Sequence, residues 1–388
     1  IPDPTDELSL GIESHDTIYQ LQVYAFNDSD GDGLGDFKGI AEKAEYLSWL
    51  GIDAVWLSPI HPSPSYHHYD VTNYYLADPA YEVDGFTFED MLDVLNSYGI
   101  DVILDIVVNH SSVEHPYFVS AVNAFKIGQE SPYIDYYILS ETPFTHPTLG
   151  YSSAVIDGVY FDAFYGFYHM PAFNFDHEPV REMFIDIFSY WLDKGVAGFR
   201  LDAAKHVYDD YSKNNALFTY FVDTLEETYD DVYFVNEIWD SQNNVAPYFA
   251  SGMSNFNFDT RNMVAQAING SRNYGQFLED YQSLIRSYNA DAIEAPFISN
   301  HDIGRLGVGY TEQQQIMMAA LNILSPGNSY IYYGDEIMLQ GSRTMASGSS
   351  GYEDAALRTP MLWDEWTYYF ADYISDTTSA IDSAETIS

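Results

Sequence analysis

The chain has 388 residues, no cysteine, 46% apolar and 17% aromatic side chains, and 14 basic against 59 acidic residues, a formal charge of −45. That length and apolar content allow a full core and argue against disorder, while the scarcity of Lys and Arg excludes a nucleic-acid partner and disfavours an anionic membrane surface. No run of about 18 apolar residues occurs, so no membrane-spanning helix is expected, and without cysteine there is neither a disulfide framework nor a thiolate metal site. The acidity has two readings: an ordinary acidic secreted enzyme, or adaptation to high salt, where self-repulsion is screened and carboxylates keep the surface hydrated. Lysine occurs only six times, which supports the second. A start at Ile1 rather than methionine is what a processed or trimmed chain would have.

In chain order, the first strand-like run is Thr17–Tyr24. A helical pattern follows, with Phe37, Ile40, Ala44, Leu47 and Leu50 on one face, then Gly51 and a short apolar strand ending at Leu57. The same grammar returns twice. Phe88, Met91, Leu92 and Leu95, behind the predicted N-cap Thr87, lead to Gly99 and a strand over 100–104. Met183, Ile187, Tyr190 and Trp191 lead to Gly195 and a strand over 196–201. Between these two units, from about Asn109 to Pro171, the sequence is loop-like and rich in Tyr, Pro, Ser and Asp; it reads as a subdomain inserted after the third strand. Further apolar runs at Val232–Asn236, Phe256–Asp259, Pro296–Asn300 and Ser329–Tyr333 bring the strands to eight. Strands buried on both faces and separated by helices pair in parallel, and eight such units predict an α/β protein, a closed (β/α)₈ TIM barrel. The expected division is 1–108 for the first part of the barrel, 109–170 for the insert and 171–388 for the remainder.

In such a barrel chemistry sits where strands end and loops begin. The polar residues there are Asn109-His110, Arg200 and Asp202, Glu237, and His301-Asp302. One Asp at a strand end is often only a helix cap, but four ends rich in carboxylates, imidazoles and a guanidinium point to a catalytic site. Arg200, two residues from Asp202 on one strand, faces the same way and is expected to keep Asp202 ionised. A separate signal is Asp28-Ser-Asp30-Gly-Asp32-Gly-Leu34-Gly-Asp36. Three Asp spaced by two with interleaved Gly suit a hard cation with oxygen ligands, although Gly39 stands where an EF-hand needs Glu; the alternative is an acidic, solvated turn.

At these positions the chain resembles the α-amylase family of glycoside hydrolases. Asp105-Ile-Val-Val-Asn109-His110, Gly198-Phe-Arg200-Leu-Asp202-Ala-Ala-Lys205-His206, Glu237 in Val-Asn-Glu-Ile-Trp, and Ser299-Asn300-His301-Asp302 are similar, in order, to its four motifs, and the resemblance runs from Thr17 to Trp366. It implies Asp202 as nucleophile, Glu237 as acid/base and Asp302 as third carboxylate. A retaining glycosidase needs two carboxyl groups about 5–5.5 Å apart, with the acid's pKa raised. Tyr69 and Asp70, in His67-His-Tyr-Asp, resemble the family's stacking tyrosine and hydroxyl-binding aspartate; the family usually has Gly at His68, so a different local backbone is expected. Lys205 and His206 match the pair that contacts the aglycone in α-amylases. With His110, Arg200, His301 and Arg305, these complete the implied substrate-binding set. The acidic loop resembles a calcium loop of oligosaccharide-acting members, with Asp28, Asp30, Asp32, the Leu34 carbonyl and Asp36 as ligands. A second calcium would use Asn109 and a carboxylate of the insert, for which Asp157 and Asp162 both fit. Met170-Pro-Ala-Phe-Asn174 departs from the family in having Ala172 for Asp, and 22 residues after Trp366 are too few for the family's C-terminal β-domain, which is expected to be absent.

The leading expectation is a secreted, monomeric, calcium-binding endo-hydrolase of α-1,4-glucosidic bonds in starch-like glucans and maltooligosaccharides. The alternative within the family is an oligosaccharide-directed α-glucosidase or a transglycosylase. A non-catalytic binding module is disfavoured because Asp202, Glu237 and Asp302 are all present.

Overall fold

Alternation along each strand is what builds the barrel. The computed structural model describes residue 12, residues 15–343 and residues 354–363. Strands β1 (Thr17–Leu21), β2 (Ala54–Leu57) and β3 (Asp101–Val107) come first; after the insert come β7 (Gly198–Asp202), β8 (Tyr233–Asn236), β9 (Ser254–Asn257), β10 (Glu294–Pro296) and β11 (Ser329–Tyr332). All eight pair in parallel in the order β10-β9-β8-β7-β3-β2-β1-β11. A parallel bridge between Phe297 and Tyr330 brings the two outermost strands together, so the sheet is a nearly closed TIM barrel. The seventh strand lies two residues earlier than its apolar run predicts, because from Phe297 onward the chain keeps only that one bridge.

Inward-facing residues fill the barrel and outward-facing ones meet the helices. Ile18, Ala54, Trp56, Ile103, Tyr233, Val235, Phe256, Phe297 and Tyr330 form one buried interior cluster. Their neighbours Tyr19, Val55, Leu57, Val102, Leu104, Phe199, Leu201 and Phe234 join a larger shell with helical residues such as Leu47, Phe88, Leu92, Ile187 and Trp191. The helix Phe88–Asn96 has the predicted Thr87 cap, a full capping box with Asp90. The single helix expected over 37–50 is two, Phe37–Ala41 and Ala44–Trp49. Gly198 has a packing reason: a Cβ there would lie 2.4 Å from the Tyr233 carbonyl oxygen on the next strand.

The stretch between β3 and β7 is more ordered than its composition suggests. It holds a helix, Pro116–Ile127, and an antiparallel sheet of β4 (Leu139–Ser140), β5 (Ala154–Ile156) and β6 (Val159–Phe161) in the order β4-β6-β5. An antiparallel bridge from His110 to Ala172 ties this region to the chain just after β3, and another from Ala163 to Pro171 closes it on itself. Among the described residues no helix is long and apolar enough to cross a membrane. The expectation of no C-terminal β-domain falls on residues after 363 and lies outside the described ones.

Candidate active site

Along each barrel strand the inward series runs from apolar to polar toward the C-terminal end: Ile18 to Gln20, Ile103 to Asp105, Gly198 to Arg200 and Asp202, Val235 to Glu237. Register puts Asp105 beside Arg200 and Val107 beside Asp202. The guanidinium of Arg200, 1% exposed, is therefore ringed by carboxylates. Its Nη1 donates to Asp105 Oδ1 at 2.8 Å and to Asp202 Oδ1 at 2.7 Å, and its Nη2 donates to Glu237 Oε2 at 2.7 Å. Trp56 and Tyr69 lie 5.2 and 5.8 Å from the cation. Ala203 takes the left-handed conformation, φ 48°, and its N–H donates to the same Glu237 oxygen at 2.9 Å.

Asp202, Glu237 and Asp302 share one open cleft of about 440 Å³ with Tyr69, His110, Lys205, His206 and His301. Burial raises the pKa of Asp202; Arg200 pulls the other way, as does a hydrogen bond with Glu237, while the charge of Asp302 adds to the rise. Arg200 thus favours the ionised form of Asp202, the direction expected from sequence, against burial and Asp302. Glu237 is raised as well, by burial and by the charges of Asp202 and Asp302 against Arg200. Burial also works to raise Asp302, but His301, Arg358 and Arg200 outweigh it and hold this carboxyl well below the usual range. Two neighbouring carboxyls whose affinity for protons is raised, beside a firmly ionised third, can keep a single proton between them, which is what an acid/nucleophile pair requires.

His301 Nδ1 meets the Gln20 amide at 2.6 Å, while Nε2 lies 3.0 Å from Asp302 Oδ2 and 2.8 Å from the Tyr69 hydroxyl. Tyr69 also donates to Asp105 Oδ2 at 3.1 Å. His110 stacks on Phe164 and is pushed down to about 3 by burial, so it is neutral at pH 7. His68 does have φ 61°, the left-handed region glycine favours, so the backbone keeps a glycine-like turn despite the side chain.

Three sequence expectations sit elsewhere. Asp70 is buried and spends Oδ1 on the hydroxyls of Ser63 and Ser65, which makes it a support for the His67–Tyr69 turn. Arg305 is wholly buried; it stacks on Tyr332 and Tyr333 and donates to the carbonyls of Tyr333 and Leu357, away from the cleft lining. Asp157 is exposed and paired with Lys126 at 3.0 Å, which removes it as partner to Asn109. The groups sequence reasoning missed are Asp105, whose place followed from alternation with Ile103, and Arg358. Arg358 Nη2 lies 3.1 Å from Asp302 Oδ1 and Nε donates to the His301 carbonyl, across a separation of more than fifty residues that leaves no local signal.

For a cation, Asp28, Asp30 and Asp36 bring one carboxylate oxygen each to within 4.8 Å of one another. Among the described residues no Lys, Arg or His pairs with these three, whose oxygens accept only from backbone N–H groups and the Ser29 hydroxyl, so the all-oxygen donor set fits a hard divalent ion. Asp32 is not in that cluster; its Oδ1 accepts from the Leu34 N–H at 2.8 Å. Asp36 also caps the helix Phe37–Ala41. The second site does not fit. Asn109 gives its amide to the His206 carbonyl at 2.6 Å, and the His146 imidazole lies between Asp162 and Asp209, 3.9 and 3.8 Å from them.

Comparison with known proteins agrees in scale with this geometry. The family model for the α-amylase catalytic domain matches residues 20–380. Alpha-amylase 3 of Dictyoglomus thermophilum is 39% identical over 353 residues, 90% of this chain and 67% of that protein. A 4-alpha-glucanotransferase of Thermotoga neapolitana is 31% identical over 332 residues, 83% of this chain and 72% of that one. Among solved structures, Amy13B of Eubacterium rectale superposes with a TM-score of 0.82 at 32% identity, covering 95% of this chain and 79% of its own.

Proposed function

The chain belongs to the α-amylase family of glycoside hydrolases, and from that premise we propose that it is an endo-acting, retaining hydrolase of α-1,4-glucosidic bonds in starch-like glucans. The observation that carries this reading is the Asp202–Glu237 pair, both carboxylates bonded to Arg200 beside Asp302 in one open cleft. Asp202 Oδ1 is held by Arg200, which leaves Oδ2 to attack the anomeric carbon. Glu237 Oε2 receives two N–H donors, so Oε1 carries the proton that goes to the leaving oxygen as the C1–O bond breaks. A glycosyl-enzyme on Asp202 results. Glu237, now a carboxylate, takes a proton from water, which attacks the same carbon and releases the sugar with its α-configuration retained. Asp302, ionised and braced by Arg358, holds sugar hydroxyls together with His301.

Asp28, Asp30 and Asp36 would hold the calcium, whose part is to neutralise their mutual repulsion and fix the loop that follows β1. A starch-like polymer taken up from the surroundings is the substrate source that would go with a secreted protein. Transfer to a second sugar in place of water is the other reading, supported by the glucanotransferase relative and by the exposed ring of Trp239 on the cleft wall. Digestion of soluble starch tests both: rapid loss of iodine staining with α-anomeric maltooligosaccharides by NMR supports the proposal. An initial β-anomer would mean inversion and the wrong carboxylate pair. Products longer than a short maltooligosaccharide substrate would favour transfer.

A further inference from the structure

Glu237 protonates the leaving oxygen, so the wall around it, with Trp239 two positions on and the Lys205–His206 turn opposite, marks the leaving side of the cleft. That wall differs from what the Lys205–His206 pair implies. His206 has both nitrogens occupied: Nδ1 meets Asp209 Oδ1 at 2.6 Å and Nε2 the Tyr165 hydroxyl at 3.0 Å. Lys205 gives its ammonium to Asp240 at 2.7 Å. His206 is thus spent on the protein itself, and Lys205 commits one of its three N–H donors to it. What the wall offers instead is aromatic: Tyr165 is 46% exposed and Trp239 49%, and both line the cleft. Trp239 is backed by Phe258, with ring centroids 4.9 Å apart and planes 16° off parallel.

Tyr165 sits at φ 50°, ψ 23°, a left-handed conformation that bulky side chains rarely adopt. Strain of this kind persists only where surroundings over-determine it, and it concentrates at functional positions. Here the hydroxyl is tied to His206, itself tied to Asp209, and the ring packs edge-on to Phe164 at 4.9 Å. A half-exposed ring fixed in a strained backbone contributes little to a core. It does offer a pre-set apolar face in a cleft that receives pyranose rings, at low ordering cost on binding.

We propose that Tyr165 is a specificity-determining residue that receives the first sugar on the leaving side by stacking, with His206 and Asp209 positioning its ring. The proposal rests on the glucan-cleaving function above and names how that same cleft chooses its substrates. The test compares kcat/KM on maltoheptaose with kcat/KM on α-maltosyl fluoride, whose leaving group offers no sugar to this wall. Tyr165→Gly suits the left-handed backbone and so should fold; it is expected to lower the maltoheptaose-to-fluoride ratio about tenfold, mostly through KM. Tyr165→Phe keeps the ring and should lower the ratio less than about threefold. An unchanged ratio in Tyr165→Gly would overturn the proposal, and so would an equal fall in Tyr165→Phe, because the hydroxyl and not the ring would then be responsible. A wild-type protein inactive on both substrates would sink the glucan-cleaving reading itself, a result distinct from either.

Discussion

Arg200 donates to three carboxylates at once, so the charge balance of the cleft is set by residues acting as a group. Removing the nucleophile as Asp202→Ala, or the acid as Glu237→Gln, should each lower turnover at least about 10³-fold, because covalent and acid catalysis fail separately. A variant retaining a tenth of wild-type turnover on maltoheptaose would remove that residue from its role. The pH profile carries the sign of the neighbouring charges. Glu237 must be protonated to act, and burial with Asp202 and Asp302 raises its pKa, so kcat/KM should fall on the alkaline side at a pH above the ordinary glutamate range. Asp302→Asn deletes one of those charges; the residual kcat/KM on maltoheptaose, whose leaving oxygen does need the proton of Glu237, should lose its alkaline limb at lower pH. A limb that stays in place would mean that Asp302 does not act on Glu237 through charge. Much at this scale was legible in sequence, since Asp202, Glu237, Asp302, Tyr69 and His301 do meet in one cleft. Asp70 and Arg305 were misplaced because a motif fixes position along the chain and not which way a side chain's hydrogen bonds run.

Strands were readable as short apolar runs, several of them behind a helix and its terminal Gly, and helices from their apolar faces, whereas the segment between β3 and β7 hid its helix and small sheet behind a loop-like composition. Its strands are only two or three residues long, too short to display a period. The loop after β1 gives a prediction that separates structure from sequence. Spacing alone makes Asp28, Asp30, Asp32 and Asp36 equivalent; the structure groups Asp28, Asp30 and Asp36. Calcium should raise the melting temperature, because it binds the folded form in preference to the unfolded one. Asp30→Ala should abolish that response and Asp32→Ala should keep most of it; equal effects would refute the grouping. Between the barrel wall and its helices, the turn after β11 buries Glu336, whose Oε1 accepts from Tyr19 at 2.5 Å and Tyr46 at 3.0 Å while Oε2 has no partner among the described residues. Burial raises its pKa from 4.5 to about 7. The folded state thus keeps a proton the unfolded chain releases, and stability should fall as the pH rises from 4.5 to 7, by about 3 kcal/mol for a shift of that size. Glu336→Gln preserves the acceptor for both tyrosines and removes the titration. Its melting temperature should decline less between pH 5 and pH 8 than wild type; an identical decline would show that Glu336 is not the group holding the proton.

At the scale of the whole molecule the −45 charge dominates, and the structure shows how little opposes it. Of the six lysines, five already pair with a carboxylate: Lys38 with Asp84, Lys126 with Asp157, Lys194 with Glu89, Lys205 with Asp240 and Lys213 with Asp176. The sixth, Lys43, lies over the Trp363 ring at 4.2 Å. Arg200, Arg305 and Arg358 are buried. Most carboxylates therefore face one another across water with no cation between them. Salt acts on this surface in two opposed ways. It weakens the lysine pairs, each worth at most about 1 kcal/mol when exposed, and it screens repulsion summed over the whole acidic shell. The screening length shrinks from about 10 Å at 0.1 M to about 3 Å at 1 M, shorter than the spacing of typical surface neighbours, so the repulsive sum loses more than the few attractive pairs do. Stability should therefore rise as NaCl goes from 0.1 to 1 M. Melting curves in calcium-free buffer, with sucrose as an uncharged control, measure the effect without contribution from the Asp28–Asp36 loop. A melting temperature that rises with NaCl but not with equal osmolarity of sucrose would identify screening as the cause. A curve flat in NaCl would mean that the charge is an ordinary acidic surface and not an adaptation to salt.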